Sequence, residues 1–434
     1  MITTPVYKPV IPGWLPSFPS HWKVMRIKNL FREIDDRSVS GSEELLSVSQ
    51  YTGITPKRES LENEDDNLTN AASLEGYKKV TAGDLVINIM LAWNGSLGIS
   101  PYNGIVSPAY CVYRCMPGNN PEYFGYLFST NLFKAEFRRN STGIIDSRLR
   151  LYSDKFFGIF SVVPPLDEQD AIVKFITVKE EKINRFIQKK QHFIDLLKEQ
   201  SQGVIDLVLT KGNDTNAKLK SSGVEWLGDI PEHWEVRKLK YTGQCQNGLN
   251  KGAEYFGFGF PFVSYGDVYK NNFLPLTITG LAQSTDEDRS NYSVLEGDVL
   301  FTRTSETIEE IGLSSTCMET IKDSTFSGFL IRFRPLKGFL LNGFSKYYFR
   351  SQLHRSFFVK EMNLVTRASL SQDLLKNLPI LIPPLIEQES IANFLDKKLE
   401  GIVTEIFKIE TEIELIKEYK EAMIAEAVTG KIVI

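Results

Sequence analysis

Apolar positions along the chain change their period twice, in the same order. From residue 14 to 163 they fall in short runs bounded by Gly, Pro and Asn, such as Leu85-Val86-Ile87-Asn88-Ile89-Met90 and Ala109-Tyr110-Cys111-Val112-Tyr113. Such runs predict short strands. Tyr123, Tyr126, Leu127 and Phe133 are spaced for one helical face, which predicts a helix over Pro121 to Arg139. The pattern then switches. Between Asp167 and Thr210 there is no Pro and a single Gly, Gly203, and Ile183, Ile187, Lys190, Ile194, Leu197, Ser201, Val204 and Val208 recur in steps of four and three. Residues 226–382 return to short runs, among them Phe329-Leu330-Ile331-Arg332-Phe333, with a second helical stretch over Asn342 to Val359. From Glu387 to Val428 the steps of four and three return at Ile402, Ile406, Ile409, Ile413, Ile416, Lys420, Met423 and Ala427. That spacing is a coiled-coil seam. Both helices start behind a Pro-Pro pair, which cannot continue a helix backwards, and acidic first turns suit the positive end of the dipole. Each helix of roughly 40 residues would be about 60 Å long.

The two halves also repeat in sequence. Trp14-Leu15-Pro16-Ser17-Phe18-Pro19-Ser20-His21-Trp22-Lys23-Val24 is matched by Trp226-Leu227-Gly228-Asp229-Ile230-Pro231-Glu232-His233-Trp234-Glu235-Val236. Pro164-Pro165-Leu166-Asp167-Glu168-Gln169 is matched by Pro383-Pro384-Leu385-Ile386-Glu387-Gln388, and Gly83-Asp84-Leu85-Val86 by Gly297-Asp298-Val299-Leu300. Val208-Leu209-Thr210-Lys211 lies opposite Ala427-Val428-Thr429-Gly430. The offset grows along the repeat, so the second copy carries a net insertion inside its globular part. Matching edges around divergent interiors suggest one scaffold with two working surfaces. The expected fold class is α+β, with two pseudo-symmetric globular domains separated by an antiparallel two-helix coiled coil. The expected boundaries are 1–163, the helix 164–212, a linker 213–225, the second domain 226–382 and the helix 383–434. The competing arrangement packs each helix on its own domain or on another protein.

Composition narrows the class. The 434 residues are 42% hydrophobic and 24% charged, ordinary globular values, and 50 basic against 54 acidic residues leave a net charge of −4. A polybasic binder is excluded, but local basic surfaces are not. No run of eighteen apolar residues occurs and the N-terminus lacks the basic and apolar regions of a secretory signal, so a cytoplasmic chain without membrane attachment is expected. Cys111, Cys115, Cys245 and Cys317 lack metal-ligand spacing and read as isolated thiols. No phosphate loop, no amino-methyltransferase loop, no H-E-x-x-H and no G-x-S-x-G is found. His21 and His233, beside repeated Trp residues, read as scaffold. A non-catalytic chain is therefore expected.

The doubled W-L-x-x-[FI]-P-x-H-W motif, the doubled P-P-L-x-E-Q helix start and the two heptad helices resemble the specificity subunit of type I restriction–modification enzymes. The stretch Gly83-Asp84-Leu85-Val86 through Trp93-Asn94-Gly95-Ser96 to Pro108-Ala109-Tyr110 is similar to that family's target-recognition domains. The resemblance spans essentially the whole chain. It implies that each globular part reads one half of a split DNA sequence, and that the helices set the spacer and dock two modification (methyltransferase) subunits. It implies restriction (translocase/nuclease) subunits as further partners. S-adenosylmethionine, ATP and Mg2+ would be bound by partner subunits and no cofactor by this chain. Two other readings stay open. One is a coiled-coil structural protein without DNA binding, which the near-neutral charge favours. The other is a nuclease built on scattered carboxylates.

Reading bases calls for Arg, Lys, Asn, Gln, Ser and Thr placed at a groove. Candidates in the first domain are Tyr51, Lys57, Arg58, Arg138, Arg139 and Arg148. Lys57-Arg58 could equally be a solvated loop, and Arg138-Arg139 ends a helix, where cations favour the dipole anyway. Arg148 matches Arg367 across the repeat, as a phosphate clamp or a scaffold ion pair. Candidates in the second domain are Ser264, Tyr265, Lys270, Arg303, Thr304 and Arg367. Trp93 reads as core rather than as a base-stacking residue.

Overall fold

The computed structural model describes residues 7–8, 13–15, 17–57, 73–305, 311–361 and 368–434. The chain divides into two units, residues 1–190 with 411–434, and residues 191–410. Strands, short helices and segments of both long helices occur in each, so the fold is α+β.

The first unit is built on a four-stranded antiparallel sheet in the order Phe31–Ile34, Cys111–Cys115, Leu85–Ile87, Leu97–Ile99. Its side chains alternate as the pleat demands. Leu85, Ile87, Cys111 and Tyr113 enter an aromatic core with Phe124, Phe128, Phe133, Phe137 and Phe156. Val86 and Val112 face the other way, into a small cluster with Leu46, Val48 and Ile54 of the hairpin Leu46–Ser49/Gly53–Pro56. The stretch expected as one helix over 121–139 is two, Pro121–Ser129 and Asn131–Asn140. Thr130 takes an extended backbone between them, and its hydroxyl donates to the Leu127 carbonyl (2.7 Å) while accepting from the Phe133 amide (3.4 Å). It thus ends one helix and caps the next.

The central helix Leu166–Lys211 begins where the two repeated motifs meet. Glu168 takes His21 Nε2 at 2.6 Å through one oxygen and accepts from the buried Trp22 indole at 2.8 Å through the other. Gln169 accepts from the Asn120 amide (2.8 Å) and donates to the Pro164 carbonyl (2.9 Å). The end of the C-terminal helix Leu385–Val428 completes this core: Ala427 and Val428 lie in it, and the Tyr123 hydroxyl donates to the Val428 carbonyl at 2.8 Å. Within this unit the two helix segments run antiparallel, with Lys190 paired to Glu412 at 2.8 Å and Lys420 to Glu180 at 3.0 Å.

The second unit repeats the scheme. Its sheet has the same order, Gly243–Asn247, Leu330–Pro335, Val299–Thr302, Ser314–Thr316. Val299, Phe301, Ile331 and Phe333 enter a core with Phe344, Tyr348 and Phe349, which also takes Val208 and Leu209 from the central helix. Glu387 holds His233 (2.5 Å) and the fully buried Trp234 indole (2.9 Å), and Gln388 accepts from Leu341 N (2.9 Å) and donates to the Phe339 and Pro383 carbonyls (2.8 and 2.9 Å). Here too the helix segments are antiparallel: Asn213 donates to Ser390 at 2.8 Å, and Leu197 shares a groove with Ile402 and Glu405. Every seam position named above is buried or half-buried in both helices. The expected helix over 342–359 is divided into Asn342–Tyr348, a turn at Gln352–His354 and Arg355–Glu361, because Ser351 takes an extended backbone. Residues 213–225, expected as a linker, hold the strand Leu219–Ser221, which pairs with Asp229–Pro231. Its counterpart Tyr7–Lys8 pairs with Phe18–Pro19, so the repeat begins upstream of the Trp-Leu motif.

The Gly-Asp motif has a structural reason. Gly83 and Gly297 take positive φ (94° and 86°), which L side chains rarely adopt. The following Asp is buried and grips an Arg of the central strand bidentately, Asp84 with Arg114 (both 2.8 Å) and Asp298 with Arg334 (both 2.7 Å). The cysteines are free thiols; Cys111 and Cys317 are buried, Cys115 and Cys245 half-buried, and burial pushes Cys115, Cys245 and Cys317 up to about 12. No helix among the described residues is long and apolar enough to cross a membrane.

His354 is buried among the rings of Trp226, Tyr348 and Phe349, and burial, with Arg355 beside it, pushes its pKa down to about 3. The unfolded chain protonates this ring near pH 6.5, about where a free imidazole titrates. Its contribution to stability is therefore complete above about pH 6.5 and lost as pH falls towards 3, by up to about 1.4 kcal/mol per pH unit. Denaturant unfolding at pH 6.5 and pH 5 should show that loss in the wild type and a flatter profile in His354→Phe. Equal losses in both would assign the pH dependence elsewhere.

Candidate nucleic-acid interface

The sheet, the Glu contacts to His and Trp at the helix start and the helix pair recur in both units, but the segment between the first two sheet strands to appear in sequence does not. In the first unit it holds the hairpin Leu46–Ser49/Gly53–Pro56 and the strand Lys78–Val80. In the second it holds the strand Phe256–Val263 and the helices Tyr265–Lys270 and Asp286–Asn291. One scaffold therefore presents different side chains in its two copies.

Tyr51 stands at the tip of the first unit's hairpin, 86% exposed. Lys57 lies at the base of the same hairpin, half-buried, where its amide donates to the Leu45 carbonyl at 2.8 Å. A four-residue strand separates them, about 13 Å, so they do not form one contact point. Arg58 lies outside the described residues. Arg138 and Arg139 occupy the last turn of Asn131–Asn140. Arg138 pairs with Asp146 at 2.7 Å and covers the Trp93 ring at 5.1 Å, while Arg139 pairs with the buried carboxylate of Glu136 at 2.6 Å. Trp93 is half-buried beneath Arg138, with its indole donating to the Met90 carbonyl at 3.2 Å. Arg148 is exposed at the end of the turn Asp146–Arg148, so the Arg138–Asp146 pair places Arg138 and Arg148 on neighbouring elements.

In the second unit Ser264 is the N-cap of Tyr265–Lys270. Its hydroxyl accepts from the Asp267 amide (3.3 Å) and its own amide donates to the Asp267 carboxylate (2.8 Å), a reciprocal capping box. Tyr265 is half-buried and stacks on Tyr269 at 5.9 Å, and Lys270 is exposed at the helix end. Arg303 and Thr304, both half-buried, follow the strand Val299–Thr302. Arg303 is fixed through its backbone, its amide donating to Phe329 O (2.9 Å) and its carbonyl accepting from Leu370 N (2.7 Å). Arg367 lies outside the described residues, so the Arg148–Arg367 correspondence rests on sequence. The structure also exposes apolar side chains beside these cations, Ile144 and Ile145 near Arg148 in the first unit and Phe329 beside Arg303 in the second. Their sequence signal was an apolar pair inside a polar run, Ser141-Thr142-Gly143-Ile144-Ile145-Asp146.

The family model described as the type I restriction modification DNA specificity domain matches residues 231–415. The type I restriction enzyme MjaVIII specificity subunit of Methanocaldococcus jannaschii is 24% identical over 433 residues, covering 95% of this chain and 93% of that protein. The chain is thus similar to type I restriction specificity subunits along nearly its whole length. The EcoKI specificity subunit of Escherichia coli is 21% identical over 368 residues, 82% of this chain and 76% of that one. The MjaX specificity subunit of M. jannaschii is 28% identical over 207 residues, so the chain matches only 47% of that relative's length. Among solved structures, a chain from a study of complex assembly and conformational transition in the type I R-M system has a TM-score of 0.69 at 15% identity, covering 96% of this chain and 99% of that one. The HsdS subunit from Thermoanaerobacter tengcongensis has a TM-score of 0.53 at 16% identity, with the same coverage. At these identities the likeness establishes the fold.

Proposed function

We propose that this chain is a specificity subunit that reads a two-part DNA target for a type I restriction–modification complex, one half with each globular part. The observation that carries the reading is one repeated scaffold with two unlike inserts between equivalent strands. Equal scaffolds would approach DNA in equal ways, while unlike side chains would select unlike bases. The chain's own part is recognition. Methyl transfer, with S-adenosylmethionine, falls to two modification subunits, and translocation and cleavage, with ATP and Mg2+, to restriction subunits.

The long helices would set the unread gap and dock the modification subunits. A coiled coil has the stiffness that a spacer needs and a flexible linker lacks. Docking is supported by apolar side chains exposed outside the seam. In the second unit these are Phe193, Phe394, Val403 and Phe407, beside a groove of about 550 Å3 lined by Leu197, Ile402 and the Lys397 and Lys398 side chains. Apolar surface of this kind on helices marks a contact with other helices.

Exchanging residues 14–163 for the matching part of another specificity subunit should change one half-site only, read by mapping methylated bases in the host genome. Change in both half-sites would defeat the modular reading. The near-neutral charge favours a structural coiled-coil protein instead; duplex binding that weakens with salt, measured with the modification subunits present, separates the two.

A further inference from the structure

Between Asn140 and Leu151 the first unit carries a loop whose backbone is firmly held and whose tip is apolar and open to solvent. Thr142 and Arg150 exchange two backbone hydrogen bonds at its base, 2.9 and 3.0 Å. Arg148 N donates to Ile145 O (2.8 Å), Leu149 N to Asp146 O (3.2 Å) and Leu151 N to Ile89 O (3.0 Å), and the Leu149 and Leu151 side chains are buried. The loop is narrow: a Cβ on Gly143 would stand 2.5 Å from the Arg148 carbonyl oxygen. On this frame Ile144 is 99% exposed and Ile145 54%. A mobile loop can leave an isoleucine in water at little cost, but a fixed tip that does so is shaped for a contact.

The surrounding charge indicates the contact. From Asn131 to Arg150 there are five cations, Lys134, Arg138, Arg139, Arg148 and Arg150, against Glu136 and Asp146, a local charge of +3 in a chain whose total is −4. An apolar tip with a basic collar is complementary to a DNA groove. Phosphates flank the major groove on both sides and thymine methyls line it, so an apolar side chain finds its partner there between two charged walls.

We propose that Ile144, backed by Ile145, enters a groove of duplex DNA as the apolar reader of the first half-site, with Arg138 and Arg148 on the flanking phosphates. This rests on the DNA-reading function proposed above and names a specificity-determining residue for it. The test uses the full chain assembled with its modification subunits, a duplex carrying the methylation-mapped target and a duplex with the first half-site scrambled.

Ile144→Ser should lower affinity for the target about tenfold and leave both the scrambled-duplex affinity and the salt slope unchanged, because no counterion is released by an apolar contact. Ile144→Leu should retain target affinity. Arg148→Ala should weaken both duplexes and reduce the salt slope by about one. Ile144 lies on the surface, so an unchanged melting profile will confirm that the variants fold. Wild-type preference for the target with no loss in Ile144→Ser would overturn this inference and leave DNA reading intact. A wild-type complex with no preference between the duplexes would overturn both. Loss of assembly with the modification subunits in Ile144→Ser would assign the tip to a protein contact and overturn the groove assignment.

Discussion

Ile409→Asp is expected to lower the stability of the second unit by about 4 kcal/mol or more, the joint effect of a lost core side chain and a carboxylate placed where water is excluded. Ile409 is 2% exposed, in the seam that also buries Ile402 and Ile194. Its neighbours Lys408 and Glu410 are exposed, so Lys408→Asp, one residue away on the same helix, should change stability by no more than about 0.5 kcal/mol. Guanidinium unfolding of the full chain, followed by helical circular dichroism, distinguishes the two. A wild-type midpoint for Ile409→Asp would mean that these helix segments are not held by their seam. The seam side chains, rather than helix propensity alone, are expected to keep helices of this length paired in water.

The second large effect concerns Glu387, which holds His233 and Trp234 at the start of the C-terminal helix. Glu387→Ala should destabilise the second unit by about 2 kcal/mol, mostly because the buried Trp234 indole loses its acceptor. The His233 contact contributes less, since that ring and the Glu387 carboxylate are substantially exposed. Glu387→Gln, whose amide oxygen can still accept from the indole, should therefore keep most of the stability, and His233→Ala should cost less than about 1 kcal/mol. The same series at Glu168 applies to the first unit, where Trp22 and His21 play the corresponding parts. If the Gln and Ala variants were equally unstable, the ion pair would outweigh the indole bond and this ordering would be wrong.

Much of the fold was legible because its parts follow period and punctuation. The seam of both helices could be read position by position, since a step of four and three has one structural meaning over so long a stretch. The strands Leu330–Pro335 and Leu85–Ile87 are equally plain, as central strands buried on both faces read as apolar runs. Two helical stretches are legible as helical but not as divided. Apolar spacing ran through Thr130 and Ser351, but each takes an extended backbone and ends a helix. A small polar residue in a helical pattern can continue the helix or cap it, and local periodicity cannot distinguish the two. The candidate site was less legible. Ser264 reads in sequence as a base-reading hydroxyl and is engaged in a helix cap; Tyr51 and Lys57 stand close in sequence and lie at opposite ends of a hairpin.

From the order of residues alone came the doubling of the chain, the α+β class, the paired heptad helices and the motifs that recur in both halves. These are properties of spacing, and spacing is written in one dimension. Tertiary structure decided what the motifs are for. It joined Glu168 to Trp22 and Glu387 to Trp234, across 146 and 153 residues of chain, and it turned two ordinary isoleucines, Ile144 and Ile145, outward on a narrow loop among arginines. Side-chain partners and exposure depend on which distant segments meet, and that is set by the packing of the whole unit rather than by any local pattern.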